Sequence, residues 1–170
     1  VNHFELFGLA PSVDIDVKAL EQQHRDRAMT AHPDRLIGAD AHTRRQAAEL
    51  SASLNEAVRV LRDPLKRALY VLKLAGVDLE GERAPAMPLE FLEEVIEQRE
   101  ALEQARATKD LERAVTMAKT VRAARDLALA AAQAALREGQ VPLATVALGR
   151  VRYYSRFLEE VDAFEEELTS

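Results

Sequence analysis

A chain of 170 residues, 48 % apolar and 31 % charged, is long enough to bury a core in one domain or in two small ones. Few β-branched residues beside abundant Ala, Leu, Glu and Arg predict an all-α protein, and a net charge of −6 argues against nucleic acid as its partner. Without cysteine there are no disulfides, thiolate nucleophiles or cysteine-ligated metals, and no apolar run of about 18 residues is present to span a membrane.

Val1 leads directly into folded-looking sequence without the features of a signal peptide, so a soluble cytoplasmic protein is expected. Asn2 is placed to cap a short helix through Phe7, with Gly8 as its stop. Phe4, Leu6, Phe7 and Leu9 are too apolar and too few to fold alone, so this segment must lie on something else. Asp14 or Asp16 begins a second helix, about 16–31. It is unusually polar: Leu20 and Ala28 are expected to face inward, and Lys18, Arg25, Arg27 and Arg35 to form a basic cluster. Pro33 ends it, because proline disfavours helical geometry at the preceding residue and has no N–H to donate. A loop with Gly38 follows.

Thr43 is the expected cap of a third helix, about 43–62. There Ala47, Leu50, Leu54, Ala57, Val58 and Leu61 recur at helical spacing. Asp63-Pro64 is a stop and a start together, with Asp63 as cap and Pro64 in the first helical position. The fourth helix closes at Gly76. Residues 77–87, with Gly81 and Pro85, predict a linker. Pro88 restarts a helix to about Arg106, Thr108 caps a long one over 109–138, and Pro142 begins a last one over 142–168. Ala147, Tyr154, Val161 and Leu168 are spaced by seven, with Val151 and Leu158 between them, which is the seam of a helical bundle. Two units are therefore expected, 1–76 and 88–170.

The stretch that bears on function is Ala31-His32-Pro33-Asp34-Arg35. His-Pro-Asp alone is a weak signal, but its flanks agree with it: Leu54-Asn55-Glu56-Ala57, Leu61-Arg62-Asp63-Pro64, Lys66-Arg67-Ala68 and Tyr70. This order and spacing resembles the J-domain family, a helical hairpin with short flanking helices. The segments Phe4-Glu5-Leu6-Phe7-Gly8-Leu9, Arg67 to Gly76, Phe91-Leu92-Glu93-Glu94 and Arg99-Glu100 narrow the resemblance to HscB-type co-chaperones of iron–sulfur cluster assembly, across nearly the whole chain.

That resemblance implies a J-domain followed by a C-terminal three-helix bundle. It implies an Hsp70-class partner (HscA), whose ATPase is stimulated through His32, Pro33 and Asp34, and a scaffold client (IscU). Arg25 matches the family's basic position seven residues before His32; Lys18, Arg27 and Arg35 extend it. A positive patch in an acidic chain steers association with an acidic partner surface. The scaffold-binding surface it implies falls on Leu92, Glu93, Ile96, Glu97 and Glu100, with Tyr153 on the last helix. Many J-domains carry an aromatic at the position of His24, leucine at that of Arg27 and tyrosine at that of Ala31, and Glu93 replaces an apolar residue of some members.

Pattern alone leaves two uses for the stripe of Leu89, Leu92 and Ile96: packing against another helix, or binding a partner. Phe91, Val95, Leu102 and Ala105 form the stripe expected to face the bundle. No nucleophile, phosphate-cradling loop or metal-ligand spacing accompanies the histidines, so the chain is expected to be no enzyme, with no cofactor or metal, and a monomer or weak homodimer. A J-protein with a different client, or a helical adaptor without Hsp70 coupling, is the alternative.

Overall fold

The computed structural model describes residues 1–170, all α-helical and turn, with no strand. Seven α-helices follow in order: α1 His3–Leu6, α2 Val17–Thr30, α3 Ala41–Leu61, α4 Pro64–Leu74, α5 Leu89–Ala107, α6 Leu111–Arg137 and α7 Val141–Thr169, with a 3-10 turn at Pro33–Leu36. They fall into two compact units, Val1–Val71 and Leu72–Ser170. The boundary lies inside α4 rather than after Gly76, and residues 77–87 belong to the second unit.

In the first unit α1 has a complete capping box. Asn2 Oδ1 accepts from the Glu5 N–H at 2.9 Å, and the Asn2 N–H donates to Glu5 Oε2 at 3.0 Å. One turn of helix is unstable alone, so tertiary contacts must hold it. The His3 N–H donates to the Tyr70 hydroxyl at 3.0 Å, the two rings stack at 4.4 Å, and Phe4 and Phe7 enter a core with Leu20, Leu54, Ala57, Val58 and Leu61. Asp16 caps α2 by accepting from Ala19. Asp40 caps α3 through the Thr43 N–H at 2.7 Å, so the cap lies three residues before Thr43, the expected one. That bond also holds the Asp40 carboxyl below its usual pKa. Asp63 caps α4 through Lys66, as the Asp-Pro pair predicts.

Arg67 is the buried cation of this unit. Its Nε donates to the Val13 carbonyl at 2.9 Å and its Nη1 to the Leu61 carbonyl at 2.6 Å, tying the loop before α2 to the end of α3. Burial lowers its pKa from the ordinary arginine value, although nearby Asp14 and Asp63 oppose the shift. Arginine nonetheless stays charged.

The second unit is built on the α6–α7 hairpin. Ala114, Ala118, Val121, Ala132 and Ala135 of α6 are buried, as are Ala144, Leu148, Val151, Tyr154, Leu158 and Val161 of α7. Helix α5 supplies the third wall through Phe91, Leu102 and Ala105. The long helix begins after Asp110, which accepts from the Arg113 N–H at 3.1 Å; Thr108, its expected cap, instead ends α5. Residues 77–87 cross α7: the Leu79 carbonyl accepts from Arg152 Nη1, and Met87 lies on Gly149. A methyl group at 149 would stand 2.3 Å from the Met87 sulfur, so this mid-helix glycine makes the approach possible.

Candidate functional site

The His-Pro-Asp triplet sits where α2 stops. The Ala31 N–H still bonds to the Arg27 carbonyl, and His32 is already extended. Pro33 then opens the 3-10 turn, where its missing N–H costs nothing. The turn is closed by the Arg35 N–H on the His32 carbonyl at 2.9 Å. His32 caps it: Nδ1 accepts from the Asp34 N–H at 3.2 Å. Asp34 Oδ2 also lies 3.6 Å from that nitrogen. One Nδ1 cannot accept from the amide and donate to the carboxylate at once. The amide contact has hydrogen-bond geometry and the other is too long, so a neutral ring in this arrangement carries its proton on Nε2.

The side chains of His32 and Asp34 are 59 % and 84 % solvent-exposed. The triplet is thus a preformed, solvent-exposed turn that carries a donor and an acceptor.

Around it the hairpin is open. Ile37 is 83 % exposed, and Ala31, Pro33, Leu36, Ala47, Ala48 and Ala52 line a groove of about 590 Å³. Residues that depart from many J-domains account for this. His24 Nε2 makes a 2.7 Å hydrogen bond to Asn55 Oδ1 across the hairpin. Ala31 is too small to fill the groove. Ala28, expected to face inward, is exposed, and Leu50 is 48 % exposed. Only the base of the hairpin is sealed.

The basic residues do not form one cluster. Lys18 and Arg25, seven apart, share a face of α2; Arg27, nine from Lys18, points to the opposite side. Its Nη1 donates to the Leu6 carbonyl and its guanidinium lies 5.5 Å from the Phe7 ring centroid, so Arg27 braces α1 rather than extending the patch. Arg35 stands in the 3-10 turn beside Asp34.

On the second unit, α5 turns Phe91, Leu102 and Ala105 inward and half-buries Val95. The other stripe is unsatisfied: Leu89 is 72 % and Ile96 56 % exposed. Leu92 is half-buried, and Glu93, Glu97 and Glu100 stand exposed beside it. Leu92, Ile96 and Glu100 recur every four residues and share a face. Tyr153 of α7 borders this face, its ring edge-on to Phe91 at 5.6 Å. Tyr154 and Phe157 are in the core. The structure therefore brings Leu92, Glu93, Ile96, Glu97, Glu100 and Tyr153 onto one surface, apolar at its centre and acidic along one side.

A protein 32 % identical over 169 residues, covering 99 % of this chain and 98 % of its own length, is the co-chaperone protein HscB homolog of Aeromonas hydrophila. The chain belongs to the HscB family of co-chaperones. The HscB homolog of Neisseria meningitidis serogroup A is 42 % identical over 110 residues, 65 % of this chain and 66 % of that relative, so this match spans just under two thirds of the relative's length. A family model described as the HSCB C-terminal oligomerisation domain matches residues 87–162. The solved structure of chaperone HscB from Vibrio cholerae superposes with a TM-score of 0.81 at 31 % identity over 99 % of both chains. That of human co-chaperone HscB gives 0.84 at 23 % identity over 97 % of this chain and 82 % of the human one, a likeness of fold. The all-α fold of a J-domain followed by a helical bundle is that of this family.

Sequence reasoning missed the segment that crosses α7 in this HscB-family chain. It read 77–87 as a linker from Gly81 and Pro85. The signal that would have found the crossing is Gly149: glycine amid a regular helical repeat disfavours the helix, and close approach of another segment explains its presence.

Proposed function

We propose that this co-chaperone stimulates the ATPase of a dedicated Hsp70, HscA, and delivers to it the iron–sulfur scaffold IscU, assisting cluster assembly and transfer in the cytoplasm. The observation that carries the proposal is the solvated, self-capped His32-Pro33-Asp34 turn at the open end of the hairpin. Lys18, Arg25 and Arg35 supply the positive charge that steers the encounter with the Hsp70. Arg27, engaged with α1, supports them by holding the short first helix in place.

The scaffold docks on the second unit. Leu92, Ile96 and Tyr153 are its apolar anchors, and Glu93, Glu97 and Glu100 face basic groups on the client. Carrying both sites on one chain raises the effective concentration of client at the Hsp70. The chain performs no bond-making itself; His32 and Asp34 act by contact.

The test is steady-state ATP hydrolysis by HscA with the full chain. Asp34→Asn should abolish stimulation while circular dichroism stays native, and full stimulation by that variant would falsify the assignment. Leu92→Ala with Ile96→Ala should weaken IscU binding and leave scaffold-free stimulation unchanged. Undiminished IscU binding by the double variant would mean that those side chains are not the anchors.

A further inference from the structure

The client face is not only acidic. At the end formed by α7, the Arg156 guanidinium lies 5.5 Å from the centroid of the Tyr153 ring. Tyr153 in turn meets Phe91, which is buried in the bundle. The three side chains form a chain of contacts rooted in the core and ending in solvent. Arg156 has no hydrogen bond or ion pair, although acids outnumber bases in this chain, 29 to 23. Some exposed arginines have found carboxylates, Arg59 with Glu56, Arg99 with Glu160 and Arg125 with Asp126, whereas the Arg156 contact is with the Tyr153 ring. Between Arg156 and the start of α5 lies a hollow of about 290 Å³, with Leu92, Tyr153 and Met87 among its walls. Arg152, also on its rim, is committed to the Leu79 carbonyl and fixes the wall formed by the crossing segment.

We propose that this hollow is the basic end of the client site: it takes an apolar side chain of the client scaffold, and Arg156 pairs with a client carboxylate beside it. The proposal rests on the reading that this face binds the scaffold, and it specifies the client's surface. That surface must be bipolar, basic where it meets Glu97 and Glu100 and acidic where it meets Arg156. A guanidinium held over a ring face without a hydrogen-bond partner keeps its N–H donors free for a carboxylate fork. The ring contact also limits the rotamers of Arg156, so less freedom is lost when the pair forms. Opposite charges at the two ends of an apolar strip give the docked client one orientation, which acids alone would not.

The test is isothermal titration of the full chain with the iron–sulfur scaffold at low and moderate salt. Arg156→Glu should weaken binding about tenfold at low salt and less at high salt. Arg156→Lys, which keeps the charge but loses the fork, should fall between. Replacing the partner acid on the scaffold with lysine should restore affinity toward Arg156→Glu. Arg156→Gln, with near-native size and no charge, separates loss of packing from loss of pairing; its affinity should drop and depend less steeply on salt than the parent's, the pairs of Glu97 and Glu100 being kept. If Leu92→Ala with Ile96→Ala abolishes binding while Arg156→Glu leaves it unchanged at low salt, the basic end is refuted and the client face stands. If neither changes affinity, the client binds elsewhere and both readings fall.

Discussion

Two helical hairpins in this molecule use alanine in opposite ways. In α6–α7, Ala114, Ala118, Ala132, Ala135 and Ala144 are buried, letting the helices approach closely while Leu148 and Val151 fill the space between. In α2–α3, Ala28, Ala31, Ala47, Ala48 and Ala52 stand where nothing large faces them. Leu20 is the buried residue of α2, and the buried residues of α3 begin at Leu54. One hairpin is a packed platform along its length; the other is fastened at its base and open at its tip. The proposed client surface lies on α5, packed against the first hairpin, with Tyr153 of α7; the His-Pro-Asp turn lies at the tip of the second. A platform presents a fixed constellation of side chains, whereas an open tip relies on local bonds, His32 to Asp34 and Arg35, to keep its turn in shape.

The comparison is broken most directly by removing one leucine from each hairpin. Leu148→Ala in the platform should cost about 2–5 kcal/mol, because a fully buried side chain leaves a cavity that neighbours only partly fill. Leu50→Ala near the tip should cost less than about 0.5 kcal/mol. Urea unfolding followed by probes in each unit measures both, and equal costs would show the tip to be as tightly packed as the platform.

Arg67→Met tests what fastens the base. The thioether keeps the aliphatic stem but leaves the Val13 and Leu61 carbonyls without their donor. The expected loss is about 2–4 kcal/mol, confined to the first unit. Hydrogen exchange should show α1 and the loop before α2 opening first. A loss spread equally over both units would contradict a local fastening.

On the platform, Gly149→Ala sets two effects against each other. Alanine favours the helix by about 1 kcal/mol, but its methyl would meet the Met87 sulfur at 2.3 Å. The single substitution should destabilise the bundle modestly and displace the crossing segment. Adding Met87→Ala should relieve the clash and bring stability back toward the parent. If Gly149→Ala alone raised the melting temperature, the contact with Met87 would not be a packing constraint.

What was legible in the sequence follows from how local each cause is. The helices of both units, the caps at Asn2 and Asp63 and the inward stripe of α5 could be read because caps and periodicity act within a few residues. The end of α2 at Pro33 was legible for the same reason, whereas the self-capped 3-10 turn after it was expected only as a loop. The true caps of α3 and α6, Asp40 and Asp110, were missed because Thr43 and Thr108 are equally good local candidates and only the geometry of the preceding turn decides between them. Arg27 was grouped with Lys18 and Arg25 by charge, yet its partners, Leu6 and Phe7, lie about twenty residues away and no local rule connects them. The exposure of Ile96 was the question that periodicity posed without answering: an apolar arc too wide for one interface is the same pattern whether a helix or a partner covers the excess.

A small gain rather than a loss bears on why the tip is open at all. Ala31→Tyr would place a ring in the groove between the ends of α2 and α3, against Ala47 and Ala48, adding apolar contact without displacing a packed neighbour. Burying part of that ring should stabilise the first unit by roughly 1 kcal/mol and slow amide exchange around Pro33–Leu36. Stimulation of the Hsp70 ATPase then separates two roles for the groove. Unchanged stimulation would mean that the open tip is a tolerated gap and that the turn's own hydrogen bonds suffice to hold His32 and Asp34. Reduced stimulation in a more stable protein would mean that the groove itself meets the Hsp70, so that the small residue at position 31 is part of the docking surface and the looseness of this hairpin belongs to its function.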